Sequence, residues 1–253
     1  MSEERRVIRD KKTLRACYST LKAGDVVLGR VFLRSSEENL LVDLMSRGVL
    51  FFPSALAHMA SRSKTFQVPL FVDYMFPHTL AIHDRHDLIK AISYYSENTI
   101  AKVVTKSDRD NGGRGIHLWN SIEDVFSQAS FGVLPYPFVL QPFYEAGRDV
   151  RIIVLDGYRE AYIRHNPYNF RNNLFSGGES TPYEITSEQW SVCCEVMERG
   201  RFPHAHIDIT VMDDDTFSLG EINLYGGIKG AQINQEEYQE RVKAIYDGYL
   251  NEG

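Results

Sequence analysis

In HIDITVMDDDTFSLGEIN, residues 206–223, two alternating apolar strands flank an acidic turn, and Asp208 and Glu221 stand equally far from its centre between Asp214 and Asp215. A symmetric hairpin sets these two carboxylates opposite each other. Asn223, at i+2 from Glu221, leaves the same strand face. Like charges facing each other on a sheet are destabilising unless a cation lies between them. An Asp, a Glu and an Asn offer only oxygen donors, the set that suits Mg²⁺ or Mn²⁺, ions that keep waters and share phosphate oxygens. The competing account is a solvated hairpin edge carrying ordinary exposed charges.

A second cluster, TKSDRDNGGRGIHLW (105–119), places Gly112, Gly113 and Gly115 beside Lys106, Arg109 and Arg114. A dinucleotide fingerprint or a Walker loop leads from a strand into a helix whose N-terminus holds phosphate. Here the loop leads into another β-like stretch, and DNGGRG matches neither spacing. Asn-Gly favours a plain hairpin turn, yet a two-residue turn requires neither the extra glycines nor the surrounding charges. Taken alone, the loop reads either as a hairpin or as a cradle for phosphate.

The elements that must position these clusters change character along the chain. Residues 25–33 read as a buried strand, and 37–48 as a helix with Leu40, Leu41, Leu44 and Met45 on one face and Gly48 as its C-cap. VLFF restarts a strand, 53–64 reads as a second helix, and Asp84 opens a helix carrying Leu88, Ile89, Ile92 and Tyr95. This alternation predicts a parallel α/β sheet in the first hundred residues. From residue 100, IAKVVTK, GIHLW, PFVLQPF, DVRIIVLDG, REAYIRH, HAHIDITVMD and TFSLGEIN follow as strand candidates joined mostly by short turns, which describes an antiparallel sheet. Two helices interrupt it, one opened by a Thr186/Gln189 capping box and one by an Asn234/Glu237 box. In the latter, Tyr238, Val242, Ile245 and Tyr249 form a core stripe.

Composition narrows the class. The chain of 253 residues is 43% hydrophobic and 25% charged, an ordinary globular balance. Its net charge of −6 argues against a dedicated nucleic-acid or anionic-membrane binder. No stretch approaches the ~20 apolar residues of a membrane span, and the N-terminal residues lack a signal-peptide run, so the expected location is cytoplasmic. Cys17, Cys193 and Cys194 supply neither a disulfide framework nor a zinc pattern and read as ordinary thiols.

Together, a glycine-rich basic hairpin and a later carboxylate-and-amide pair of strands form a nucleotide site of a particular kind. From about Asp25 to Gln232 the chain resembles the ATP-grasp superfamily, and within it the RimK-like carboxylate–amine ligases. VVTKSDRDNGGRGIHL resembles that family's lysine-bearing strand and phosphate flap, and VLQPFYEAGRDVRIIV its interlobe strand. NFRNNLFSGG resembles its Arg-x-Asn-Leu segment, HIDITV its metal aspartate, and EINLYGGIKG its Glu-x-Asn ending.

The resemblance implies an α+β fold in which a short N-terminal α/β lobe (1–62) precedes two α+β lobes (63–139 and 140–253), whose antiparallel sheets clamp ATP. It implies that Lys106 and Lys64 contact the phosphates, with the backbone of Gly112, Gly113, Arg114 and Gly115 folding over them. Gln141, Pro142, Phe143 and Tyr144 would line adenine, with Glu145 or Asp149 near the ribose. Pro142 has no N–H, so the adenine donor falls to Phe143 or Tyr144. Asp208, Glu221 and Asn223 would hold Mg²⁺ or Mn²⁺. Arg151, Arg164, Arg171 and Asn173 would surround the transferred phosphoryl group and the substrate carboxylate.

The implied reaction is amide formation through an acyl phosphate, joining a small-molecule carboxylate to an amine, with an amino acid or peptide among the candidate substrates. Many relatives are dimers or tetramers, so a homo-oligomer is a further expectation. No residue stands out as the general base, and His117, His165, His204 and His206 read as packing or surface residues. The N-terminal lobe is truncated relative to the family, with 24 residues before DVVLGRV, and Ser176 stands where relatives carry a basic residue. Arg109 and Arg114 make the flap unusually charged, able to reach toward phosphate or an acidic substrate. Two other readings stay open: a small-molecule kinase of the same fold, and a nucleotide-binding module without turnover.

Overall fold

The computed structural model describes residues 5–110, 112–145, 147–174 and 177–252, which form three sheets. The first is parallel, in the order β1 (Val7–Ile8), β2 (Val26–Leu28), β3 (Leu50–Phe52), with α1 (Lys11–Cys17) and α2 (Asn39–Ser46) as crossovers. Leu14, Val27, Leu41, Leu44 and Val49 form its core. Gly48 ends α2 at φ 78, where a Cβ would lie 2.9 Å from that of Ala23, so the expected glycine cap is also a steric requirement.

The helix predicted for 53–64 divides in two. Ser54 Oγ accepts from Ala57 N to start α3 (Ala55–Ala60), and Ser63 Oγ accepts from Phe66 N to start α4 (Lys64–Leu70). Lys64 therefore opens a helix instead of closing one. Ala57, Ala60 and Phe71 pack into the core of the last sheet.

The second sheet corrects the predicted parallel pattern. β4 (Leu80–Ile82) leads through α5 (Arg85–Glu97) into β5 (Val103–Ser107) and β6 (Ile116–Trp119), and α6 (Ile122–Ser130) leads to β7 (Phe138–Pro142). The strand order is β4-β7-β5-β6 and every pairing is antiparallel. β5 was expected as a strand but β4 was not, and β7 inserts between the two, a long-range choice that local pattern does not encode. The parallel sheet stops at Phe52. Helix α6 was also missed, although its Ser121/Asp124 capping box was present to be read. Ile89 departs from its expected stripe, exposed while Leu88, Ala91 and Tyr95 are buried.

The third sheet follows from β8 (Arg148–Leu155), β9 (Tyr158–His165), β10 (Glu179–Pro182), α7 (Ser187–Gly200), β11 (His204–Val211), β12 (Phe217–Asn223) and α8 (Gln235–Glu252). Its order is β10-β9-β8-β11-β12, antiparallel throughout. Strand alternation sorts its faces. Val150, Ile152, Val154, Ala205, Ile207 and Ile209 form one face, in a core shared with Cys193 and Val196 of α7. Asp149, Arg151, Ile153 and Leu155 line the other, as do His204, His206 and Asp208. Helix α8 covers the apolar half of this second face with Tyr238 and Val242. The polar half stays open and becomes a cleft wall. The Thr186/Gln189 box forms completely. At α8 only Glu237 N donates to Asn234, because the Glu237 carboxylate accepts from Arg241.

Among the described residues no helix is long and apolar enough to cross a membrane. The three cysteines are free, and burial pushes the Cys193 thiol up to about 12. Ser176 lies outside the described residues.

Candidate active site

A cleft of about 800 Å³ opens between the three sheets. Its floor is set by strand register, which pairs Asp208 with Arg151 across β11 and β8, and Asp149 with Arg164 across β8 and β9. Arg151 donates Nε to Asp208 Oδ1 at 2.7 Å and Nη2 to Oδ2 at 2.8 Å. Arg164 Nη2 bridges Asp149 Oδ1 at 2.6 Å and Asp208 Oδ2 at 2.9 Å. The two arginines neutralise two buried carboxylates, the arrangement a low-dielectric site demands. Burial alone would raise Asp208, but Arg151 and Arg164 hold it well below the usual carboxylate range. Burial pushes Asp149 up, with Arg164 pulling against it and the charge of Asp208 adding.

The hairpin register pairs Asp208 with Glu221, with an irregularity between Asp208 and Ile209. Asn223 Nδ2 donates to Glu221 Oε1 at 3.0 Å, so these two side chains share a face. β12 is an edge strand, and its backbone is closed by a side chain. Gln67 of α4, almost fully buried, accepts from Ile222 N at 3.0 Å and donates to Ile222 O at 2.9 Å, standing in for a neighbouring strand. Ser61 Oγ accepts from Leu224 N at 2.9 Å. Sequence reasoning missed Gln67; a lone glutamine in a helix carries no local mark of such a contact.

These donors suit a hard cation in part as they stand. Glu221 and Asn223 line the cleft, with Glu221 Oε1 accepting from Asn223 and Oε2 lying near Lys64, and both Asp208 oxygens accept guanidinium protons, so each carboxylate must share its oxygens to join. Among the described residues no group of three or more His, Cys, Asp or Glu gathers as a metal cluster. Two carboxylates and one amide match an ion that takes its other oxygens from phosphate and water.

Opposite this wall, Val104 and Lys106 of β5 face the cleft while Val103 turns into the central core. Burial pulls the Lys106 ammonium down, opposed by Glu221 and reinforced by Lys64. Lys64 Nζ lies 3.5 Å from Glu221 Oε2 and donates to Asp110 O at 2.5 Å, linking the metal-type wall to the flap. The flap, 107–115, is fastened on two sides. Asn173 Nδ2 donates to Gly112 O at 2.5 Å, and Arg171 Nε donates to Ile116 O at 2.9 Å. At Gly113, φ 74, any Cβ would collide with the Asn173 amide. Asp108 Oδ1 accepts from Thr65 N at 3.0 Å, tying the flap to the start of α4.

Two flap arginines do not behave alike. Arg109 forms a bidentate pair with Glu38 at 2.6 and 2.8 Å, so it turns to the N-terminal lobe and not toward a phosphate. Arg114 is exposed and its side chain lies outside the cleft lining.

At the far end Gln141, Pro142, Phe143 and Tyr144 line the cleft, and Tyr144 stacks on Phe76 at 4.9 Å. Phe143 N donates to Lys102 O at 3.0 Å, which leaves the Tyr144 amide as the donor without a partner among the described residues. Asp149 lines the cleft; Glu145 does not, pairing on the surface with Lys102 at 2.5 Å. His204 and His206 lie under α8 against Tyr246 and Tyr238, at 3.0 and 2.9 Å, and burial presses them to about 4 and about 3. His117 and His165 lie outside the cleft lining. The N-terminal side adds Arg30, Phe32 and Arg62, and the loop after β12 adds Tyr225 and Lys229, none of them expected. Of these, Tyr225 and Lys229 stand inside EINLYGGIKG and Arg62 stands two residues before Lys64, so all three were open to being read.

The family model for the RimK-like ATP-grasp domain matches residues 61–239. Among solved structures, the D-cycloserine synthetase DcsG superposes with a TM-score of 0.65 at 12% identity, over 91% of this chain and 84% of that one. A RiPP-associated ATP-grasp ligase from Chryseobacterium gregarium, in complex with ADP and a leader and core peptide, gives 0.58 at 16% identity, over 87% and 72%. The ATP-grasp ligase PsnB, in complex with a phosphomimetic variant of its minimal precursor, Mg and ADP, gives 0.56 at 17%, over 83% and 68%. No curated protein sequence matches the chain. At these identities the likeness is one of fold, the α+β arrangement with antiparallel sheets described above.

Proposed function

The chain belongs to the RimK-like ATP-grasp family, and from that premise we propose that it is an ATP-dependent ligase that joins a carboxylate to an amine through an acyl phosphate. The observation that carries this reading is the opposition across one cleft of Lys106, Lys64 and the glycine flap to Asp208, Glu221 and Asn223. Lysines and flap amides receive the triphosphate. Gln141–Tyr144 would line adenine, with the Tyr144 amide as hydrogen-bond donor, and Asp149 would serve the ribose. Glu221 and Asn223, with Asp208 sharing its oxygens, would hold Mg²⁺, which supplies neutralisation of phosphate charge.

A substrate carboxylate oxygen attacks the γ-phosphorus and ADP departs. The amine nitrogen then attacks the acyl carbon, phosphate leaves, and the amine loses a proton. The chain's own part is positioning and charge stabilisation. Arg151 and Arg164 fix the floor on which the carboxylate rests. Arg171 and Asn173 hold the flap down, excluding water from the acyl phosphate. An amino acid or peptide as a reacting partner is supported by the peptide complexes of PsnB and the Chryseobacterium gregarium ligase.

The test is a screen of carboxylates against amino acids and peptides for release of ADP and phosphate, with mass spectrometry of the product. A pair that yields both, with a product lighter than the sum of its parts by one water, supports the ligase. Phosphate retained on the product makes the protein a kinase, and nucleotide binding without turnover for any pair makes it a binding module. Glu221→Ala is expected to abolish turnover.

A further inference from the structure

We infer that Arg30 and Arg62 form an anion-binding subsite at the N-terminal end of the cleft, and that the substrate carries a second oxyanion besides the carboxylate that is activated. This deepens the ligase reading and rests on it.

Arg30 follows β2, and Arg62 sits in the turn between α3 and α4; both line the cleft. The Arg30 guanidinium lies 3.8 Å from the centroid of the Phe32 ring and 4.8 Å from that of Tyr225. Stacking occupies the faces of the guanidinium and leaves its edge donors available. Arg62 Nε is buried without an acceptor. Among the described residues neither guanidinium has a carboxylate partner.

The neighbouring cations differ. Arg151, Arg164, Lys64 and Arg109 are ion-paired. Arg171 and Lys229 donate to the carbonyls of Ile116 and Leu174. Lys106 is the residue assigned to the phosphates. Among the described residues, Arg30 and Arg62 are the arginines of the cleft lining for which no carboxylate or carbonyl acceptor is found. Partial burial lowers the Arg30 pKa and the charge of Arg62 adds to that, with tyrosines but no carboxylate among the groups opposing it. His58, buried on α3, is pressed to about 4 by burial and then by both arginines. Two like charges lining one cleft without a carboxylate partner repel each other, and an anion that reaches both relieves that repulsion.

An anion supplies the missing charge. Planar guanidinium forks bind a carboxylate or a phosphate oxyanion bidentately. The carboxylate to be phosphorylated must lie by Lys106, Asp208 and Glu221, so the anion at Arg30 and Arg62 is a different group, assigned to the activated acid and not to the amine partner. The substrate class is therefore an acid with a second carboxylate or a phosphoryl group.

The test uses the full chain saturated with Mg²⁺ and AMPPNP, so that no probe enters the triphosphate site, with glutarate, 3-phosphonopropionate and butyrate titrated in turn by calorimetry. Glutarate or 3-phosphonopropionate is expected to bind at least tenfold more tightly than butyrate, and the tighter of the two identifies the second group. Arg30→Gln and Arg62→Gln are each expected to reduce that affinity tenfold or more with AMPPNP affinity unchanged. Removing one of two repelling charges is also expected to leave the melting temperature equal or higher, which a purely structural stacking role for Arg30 would not produce. Equal binding of butyrate and the dianions, or undiminished dianion binding by both variants, overturns the subsite while the nucleotide reading stands. Failure of the unaltered protein to bind AMPPNP overturns the nucleotide reading and the subsite with it.

Discussion

On the cleft floor Asp149, Arg151, Arg164 and Asp208 lie on three neighbouring strands and pair side chain to side chain, whereas the stretch facing them, anchored at its start by Asp108 and Arg109, is held beyond that through the backbone carbonyls of Asp110, Gly112 and Ile116 by Lys64, Asn173 and Arg171. The floor's charges are buried and mutually dependent, because strand register fixes every partner. The three carbonyl ties are partly exposed, separate, and made to groups that water can replace. The floor is the more firmly fixed wall, and the flap is the one we propose closes over a nucleotide. The difference predicts that substitutions on the floor register in stability and that substitutions on the flap register in substrate handling.

The floor should give the largest effect. Asp208→Ala leaves Arg151 and Arg164 with one buried carboxylate between them, a loss of about 3–5 kcal/mol on the scale of broken buried ion pairs. Urea denaturation measures it, and a loss under about 1 kcal/mol would erase the distinction between the two walls. The pH dependence follows from the same pair. Asp208 titrates below its unfolded value, so its contribution is complete above about pH 4, the ordinary carboxylate range. It is lost as pH falls through the depressed native value. Stability measured from pH 6 down to pH 2 should therefore lose its lowest limb in Asp208→Ala, and an unchanged limb would contradict the assignment.

Gln67→Leu comes next. It leaves Ile222 N and O without partners inside the protein, a cost of about 2–3 kcal/mol for two buried backbone groups. Because Ile222 lies between Glu221 and Asn223, the same change should displace both from the cleft and lower turnover more than it lowers affinity for ATP without Mg²⁺. Equal loss of both would reduce Gln67 to a packing role.

How much of this was legible differs residue by residue. Counting outward from the turn placed Asp208 opposite Glu221, since antiparallel register is a local property of a hairpin. DVRIIVLDG and HAHIDITVMD were read only as strands, although their alternation was enough to sort core from cleft. The partner of Arg109 was not legible: Glu38 is 71 residues away, and charge alone does not say which of many carboxylates is met. The expectation of a parallel sheet through the first hundred residues failed beyond Phe52, because strand–helix alternation does not reveal that a later strand inserts between β4 and β5. Arg30 shows the limit most sharply. What marks it is the lack of a counter-charge among its neighbours, and that is visible only once Phe32, Arg62 and Tyr225 have been brought around it.

The smallest stability effect and the most selective functional one belong to the flap. Asn173→Ala removes a hydrogen bond to Gly112 O and opens the space that confines Gly113. With both groups reached by water, stability should change by about 1 kcal/mol or less. The flap amides at 112–116 should nonetheless exchange with solvent faster, and KM for ATP should rise severalfold. Arg171→Ala, which frees Ile116 O, should do the same, and the two together should exceed either alone because they fasten different ends of one loop. Hydrogen exchange of the unliganded variants reads the fastening directly. If exchange at 112–116 is unaltered in the double variant, the flap is held by its own hairpin and not by the loop at 166–174, and Arg171 and Asn173 are then left to act on the substrate.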